Sequence, residues 1–184
     1  MKLLVVVSSV KVGRVGRKVA DWFVKFAKQE GSFKIDLVDL KELNLSYELP
    51  ETNPGKIEDS EYERQEDRDW AKRVSDADAV VFVTPEYNHG YPASLKNAVD
   101  HLYREWNNKP VGFVGYGSAG APYAIASFGS VAYWTKMEVV NAHVAISEVW
   151  SAFDDSGTLK NANYHEHEAE SMLGALKTKA ISTN

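Results

Sequence analysis

Residues 79–100 read AVVFVTPEYNHGYPASLKNAVD, and this stretch decides the fold. Its first five residues, Ala79 to Val83, form an unbroken apolar run rich in β-branched side chains, which is typical of a strand buried on both faces. After Pro92, which suits a first helical position, apolar residues recur at helical spacing from Leu95 to Leu102. The loop between them therefore lies at the carboxyl end of a buried strand, where open α/β sheets bind their ligands.

The remainder of the chain alternates predicted strands with predicted helices. Apolar segments predict further strands at Leu3–Val7, Pro110–Tyr116 and Val139–Ile146, and alternating apolar and charged residues predict another at Phe33–Val38, nearer a sheet edge. Helical spacing or charge patterning predicts four further helices, from Val15 to Gly31, over Glu61–Ser75, over Ala119–Lys136 and around Ala169–Ala180. A long polar connection is expected from Asp39 to Asp59. This alternation favours one doubly wound five-stranded parallel sheet, with the flavodoxin-like order 2-1-3-4-5.

Length and composition limit the classes of function. The 184 residues suit a single domain over 1–184, and the net charge of -5 argues against a nucleic-acid footprint or a polybasic membrane anchor. The absence of cysteine excludes disulfides, thiolate nucleophiles and zinc-cysteine sites, and it fits a reducing compartment. No signal-length or membrane-length apolar run occurs. We therefore expect a cytoplasmic protein that acts on a small molecule.

Three loops should open on the same edge of the predicted sheet. The first, SSVKVGRVG at residues 8–16, places two hydroxyls, two cations and two glycines directly before a helix. A helix amino terminus offers unpaired N–H groups and positive charge, which favour a phosphate. The loop lacks the spacing of a nucleoside triphosphate loop, and an ordinary polar turn with capping serines is the alternative.

The other two loops have the properties of a binding surface for a flat ring. The loop from Thr84 to Pro92 combines aromatic surface with backbone donors and the Asn88 amide, which suits a planar heterocycle. The loop GYGSAG at residues 115–120 has three glycines, among them Gly117 and Gly120, that let the backbone approach a ring closely. Ser118 adds a further donor.

These segments make the chain resemble the NADPH-dependent FMN reductase family, which includes quinone, azo-dye and chromate reductases. The most specific element is PEYNHGYPASLKNAVD, which is similar to the family's flavin loop and the following helix. The resemblance implies that Pro85, Glu86, Tyr87 and Asn88 contact the isoalloxazine ring. It also implies that the FMN phosphate is held by Ser9, Lys11, Arg14 and Val15, and that Ser118 contacts the flavin.

Two residues depart from the family pattern. Ser8 stands in place of the usual glycine, and Lys11 in place of the usual arginine. Lysine keeps the charge but lacks the planar fork of a guanidinium, so the sequence predicts weaker phosphate binding, with the flavin more easily lost on purification.

Three other patterns suggest different sites. Gly115, Gly117 and Gly120 match a dinucleotide fingerprint, but the fingerprint belongs in the first strand-helix turn. Ser118 precedes Asp154 or Asp155 and His165 or His167 in hydrolase order, although Tyr116 breaks the nucleophile elbow. The run His165-Glu166-His167-Glu168 invites a metal site, but residues two apart on a helix point in nearly opposite directions. We favour solvated helix residues there and predict no metal.

The resemblance implies an FMN-dependent oxidoreductase that takes a hydride from NADPH or NADH and passes it to a small acceptor. No side-chain nucleophile is required, so no catalytic residue is assigned. Two alternatives remain open: a flavodoxin-type electron carrier for a protein partner, and a ligand-binding module without redox turnover. The family resemblance further implies a homodimer or homotetramer, with the connection from Asp39 to Asp59 reaching a neighbouring subunit.

Overall fold

The computed structural model of the chain describes residues 1–58 and 60–183. The strands are β1 Lys2–Val7, β2 Lys34–Asp39, β3 Ala79–Pro85, β4 Pro110–Tyr116, β5 Glu138–Val139 and β6 Val144–Ile146. The helices are α1 Gly16–Glu30, α2 Leu40–Leu43, α3 Gln65–Ser75, α4 Ala93–Asp100, α5 Pro122–Trp134 and α6 Ala162–Thr183. Short 3-10 turns cover Pro54–Lys56 and Arg104–Trp106.

The strands form one parallel sheet in the order β2-β1-β3-β4-β5, with β6 also pairing with β4. The predicted fold class and strand order are therefore confirmed. The predicted fifth strand is divided in two, because Val111 faces Val139 whereas Val114 faces Val144. Three steps along β4 thus match five steps along its neighbour, and Asn141 lies in the intervening segment, where a polar side chain weakens a buried strand.

Helices cover both faces of the sheet, which explains the unbroken apolar strands. On one face, residues such as Val5 and Val81 pack with Phe23 of α1 and Leu173 of α6. The other face is covered by α3, α4 and α5, whose contributions include Trp70, Leu95 and Phe128. Alternate residues of each central strand therefore enter different cores, and both sets are removed from water.

The boundaries of two predicted segments differ from the structure. The helix predicted from Glu61 begins at Gln65, because Arg64 has an extended backbone. The connection predicted from Asp39 to Asp59 contains α2 and a 3-10 turn, and Asp59 itself lies outside the described residues. None of the helices in residues 1–58 and 60–183 has the length and apolar character needed to cross a bilayer.

Candidate cofactor site

A cleft of about 140 Å³ lies where β1, β3 and β4 end. Parallel strands place their carboxyl ends at one edge, so the loops that follow them meet there. Eight residues predicted from the sequence line this cleft, namely Ser9, Lys11, Arg14, Val15, Pro85, Glu86, Tyr87 and Gly117. Four further residues line it that were not assigned to the cofactor from the sequence, namely Gly13 and Tyr116, which belong to the predicted loops, and Val149 and Trp150.

The turn after β1 is held in place by Arg14. Its guanidinium donates to the carbonyl oxygen of Ser9 and to both carboxylate oxygens of Asp39, with Nη1 2.7 Å from Oδ1. The side chain of Asp39 is only 1% exposed, so its charge needs this partner. Arg14 was predicted to bind phosphate, yet its fork is largely engaged within the protein. Lys11 is the exposed cation of the turn.

The amino terminus of α1 is open toward the cleft. Val15 precedes the helix without a side-chain capping bond in the described structure, and the first turn contains no acidic residue. The first N–H groups of a helix have no partner within it, and they carry partial positive charge. This end of the helix can therefore receive an anion.

Tyr87 connects the loop after β3 with the turn after β1. Its hydroxyl lies 2.7 Å from Oγ of Ser9, so the two segments share a hydrogen bond. The next two residues, Asn88 and His89, both have positive φ. The N–H of Tyr87 donates to the carbonyl of Gly90, and the N–H of Gly90 donates to the carbonyl of Tyr87. This is the geometry of a tight two-residue turn with both central residues left-handed. The turn fixes the position of the Tyr87 ring.

Glu86 caps α5 with its carboxylate. Its Oε2 accepts hydrogen bonds from the backbone N–H groups of Tyr123 at 2.8 Å and Ala124 at 3.2 Å. The negative charge thus occupies the positive end of that helix, so this helix end is not open to an anion. His89 stacks on Tyr123 with ring centroids 4.2 Å apart, and this stack extends the aromatic rim.

The glycine loop after β4 divides into two parts. Gly117 lines the cleft, and its carbonyl accepts from the N–H of Val149 at 3.1 Å, which brings Trp150 to the rim. Gly120 instead packs against β6, since a Cβ at this position would lie 2.7 Å from that of Ala145. Ser118, which belongs to the same loop, is exposed to solvent. Asn88, Ser118 and Gly120 do not line the cleft, and their contact with a cofactor stays a prediction.

The hydrolase and metal alternatives gain no support from the geometry. His165 is buried, contrary to the expectation of a solvated residue. Its Nδ1 lies 2.7 Å from Oε2 of Glu168, one turn along α6, so this histidine is engaged by its own helix. Within the described ranges, no group of three or more histidine, aspartate or glutamate side chains is placed to hold a metal ion. A shallow depression of about 1070 Å³ beside Ala145 and Lys160 lies outside the meeting point of the three loops.

An open parallel sheet of this order, with a cleft at the ends of β1, β3 and β4, defines a flavodoxin-like domain. Residues 1–151 match the sequence model of the NADPH-dependent FMN reductases, and the chain belongs to that family. An NAD(P)H-dependent FMN reductase of Schizosaccharomyces pombe is 38% identical over 146 residues, which are 79% of this chain and 72% of that protein. One of Saccharomyces cerevisiae is 36% identical over 148 residues, 76% of this chain and 78% of its own.

A solved structure shows the same fold. The flavoenzyme NAD(P)H:(acceptor) oxidoreductase FerB of Paracoccus denitrificans superposes with a TM-score of 0.76, covering 97% of this chain and 98% of its own at 23% identity. The family match and the two yeast relatives confirm the predicted enzyme class: an NAD(P)H-dependent oxidoreductase with FMN as cofactor.

The residues of the cleft fit FMN. The phosphate is an anion, and the open end of α1 together with Lys11 supplies positive charge without a competing carboxylate from Asp39, which Arg14 neutralises. Tyr116 also lines the cleft, and its buried hydroxyl has no hydrogen-bond partner among the described residues. The flat side chains of Tyr87 and Trp150 stand at its rim, where a ring would lie.

Proposed function

We propose that this cleft binds FMN and that the protein passes reducing equivalents from NAD(P)H to a small acceptor such as a quinone or an azo compound. The observation that carries the proposal is that three loops meet at one cleft. The cleft combines the uncapped start of α1 and the paired hydroxyls of Ser9 and Tyr87 with the aromatic side chains of Tyr87 and Trp150. The residues assigned to the site are the twelve that line it.

Relatives with small-molecule acceptors support the choice of acceptor. A 2-hydroxy-1,4-benzoquinone reductase of Burkholderia sp. is 26% identical over 97% of this chain. An FMN-dependent NADPH-azoreductase of Staphylococcus haemolyticus is 33% identical over 62% of it. The rim is built from exposed aromatic rings, Tyr87, Tyr123 and Trp150, which suit a planar acceptor better than a charged one.

The protein's own contribution to the reaction is binding and positioning. FMN, when bound, supplies the chemistry by accepting a hydride from the nicotinamide and donating it onward. Tyr87 holds its place because its hydroxyl bonds Ser9 and its backbone closes on Gly90. Glu86 fixes the start of α5 to the loop after β3 through its two hydrogen bonds. No side chain is assigned as an acid, a base or a nucleophile.

The deciding experiment is an absorbance titration of the purified protein with FMN, followed by NADH or NADPH oxidation with a quinone and no other protein. Saturable FMN binding and steady NAD(P)H consumption are expected. FMN binding without NAD(P)H oxidation would instead favour the electron-carrier alternative, and failure to bind FMN would contradict the proposal.

Site variants connect the activity with the cleft. Ser9→Ala removes both a donor and the bond to Tyr87, so it should weaken FMN binding about 10-fold, the value of roughly one or two lost hydrogen bonds. Ser130→Ala, on the exposed side of α5, is the matched control and should bind FMN like the unchanged protein. The double variant Asn88→Ala, Ser118→Ala tests whether the flavin extends beyond the cleft walls.

We also infer a cytoplasmic homodimer or homotetramer in which residues 1–184 act as one domain. The connection after β2 presents exposed Tyr47 and Leu49, the apolar side chains expected at a subunit contact. Sedimentation of the unchanged protein and of Tyr47→Ser, Leu49→Ser should give a dimer or tetramer for the first and a smaller species for the second. Cell fractionation tests the location.

A further inference from the structure

Tyr116, the last residue of β4, carries a hydroxyl group that the fold itself does not use. The residue is 3% exposed, and the hydroxyl has no hydrogen-bond partner in the described part of the chain. Burying a hydroxyl without a partner costs stability, so buried polar atoms are nearly always paired. Because Tyr116 also lines the cleft, a molecule bound there could supply the missing partner.

The Tyr116 hydroxyl lies directly at the start of α1. A Cβ built on Gly16, the first residue of that helix, would lie 2.1 Å from Oη of Tyr116. Glycine at this position thus admits the hydroxyl beside the open helix end, and any larger residue would displace it. The helix end and the hydroxyl are two separate donors that converge on one place.

The neighbouring polar groups leave this donor available. Ser9 and Tyr87 form a hydrogen bond with each other, so one of their two hydroxyl protons is already engaged. The guanidinium of Arg14 is directed at Asp39 and at the Ser9 carbonyl. Burial raises the pKa of Tyr116 above its ordinary value and outweighs a lowering by the neighbouring Ser9 hydroxyl, which acts on the phenol oxygen, so the phenol stays protonated and its proton can still be donated.

We propose that the Tyr116 hydroxyl donates a hydrogen bond to the phosphate of FMN and thereby makes the site select FMN over riboflavin. The inference rests on the proposed function and adds a residue and a specificity to it. A hydrogen bond to a charged oxygen is about twice as strong as one between neutral groups. Loss of this hydrogen bond should therefore lower the affinity for FMN and leave the affinity for riboflavin, which has no phosphate, unchanged.

The test is the affinity of flavin-free Tyr116→Phe for FMN and for riboflavin, measured by quenching of flavin fluorescence. FMN binding should weaken about 10-fold or more, from the loss of one charge-assisted bond, while riboflavin binding stays within about 2-fold. Tyr133→Phe, whose ring is 86% exposed, is the matched control and should change neither affinity.

Several outcomes would overturn the inference. Unchanged FMN affinity in Tyr116→Phe would show that the hydroxyl does not reach the phosphate, and an equal loss for FMN and riboflavin would show a general packing effect. An unchanged protein that binds neither flavin would instead refute the proposed function itself.

A second variant keeps the inference testable if Tyr116→Phe does not fold. Gly16→Ala forces the phenol aside, so it should reproduce the selective loss of FMN affinity. If Gly16→Ala keeps the same ratio of FMN affinity to riboflavin affinity as the unchanged protein, the proposed hydrogen bond from Tyr116 to the phosphate is refuted.

Discussion

Arg14 and Asp39 join the turn after β1 to the end of β2, with Nη1 of Arg14 2.7 Å from Oδ1 of Asp39. The pair lies mostly out of water, since 12% of the arginine side chain and 1% of the aspartate side chain are exposed. The arginine of the turn is therefore engaged mainly in fixing the loop, and in the proposed site the anion would be held by Lys11, the helix end and the hydroxyl groups.

Arg14→Ala should destabilise the protein strongly. It leaves the carboxylate of Asp39 buried without its bidentate partner, which should lower the free energy of unfolding by about 3 kcal/mol. Arg17→Ala is the control, because its more exposed side chain contacts Asp39 only at 3.6 Å and its loss should cost less than about 1 kcal/mol. Denaturant unfolding of both variants measures the difference, and equal losses would contradict a structural role for Arg14.

Glu86→Ala should weaken the start of α5. The carboxylate caps two backbone N–H groups, and loss of a helix cap typically costs about 1 kcal/mol. Glu86→Gln retains a side-chain oxygen that can accept the same two bonds, so it should lose less. The comparison by thermal unfolding separates capping from charge, and a larger loss in Glu86→Gln than in Glu86→Ala would exclude the capping role.

Two glycines should respond in opposite directions to alanine. Gly120 has φ of +76° and a Cβ there would meet Ala145, so Gly120→Ala should destabilise by about 1–3 kcal/mol. In Gly129, within α5, the new methyl group would meet no described atom within 4 Å. Gly129→Ala should therefore stabilise by about 0.5–1 kcal/mol, and calorimetry of the two variants checks both signs.

Trp150 should report flavin binding through its fluorescence. The side chain is 76% exposed and lines the cleft, so a bound flavin would lie close enough to quench it. Trp150→Phe should reduce the quenching of tryptophan emission on FMN addition more than Trp134→Phe, whose exposed ring lies at the far end of α5. A larger reduction of quenching in Trp134→Phe than in Trp150→Phe would contradict flavin binding at this rim.

The strands that carry the site could be predicted because their signal is local. β1, β3 and β4 are continuous apolar runs, and burial on both faces leaves few other structures for such runs. The division between β5 and β6 was missed although Asn141 and His143 interrupt the apolar run. A polar residue in a short strand is tolerated or not according to its neighbours in space, which a single sequence does not contain.

The residues of the candidate site that could be predicted are those whose loop has a recognisable local sequence. Ser9, Tyr87 and Gly117 belong to loops with a recognisable composition, and they line the cleft. Tyr116 was placed in a strand and in the glycine loop but was given no role toward the cofactor, because its position depends on the glycine at position 16, which lies opposite it in space. Trp150 was missed because a backbone bond between Val149 and Gly117 brings it to the rim.

Both borders of the sheet are poor templates for another strand. On one side β2 carries Asp36, which pairs with Lys2 and Arg73 around the border, and on the other the pairing of β4 is split between β5 and β6. Fibril growth requires a long, flat and uncharged strand that a second molecule can extend. Crowded copies of this protein should therefore meet through helix and loop surfaces and resist conversion into cross-β aggregates.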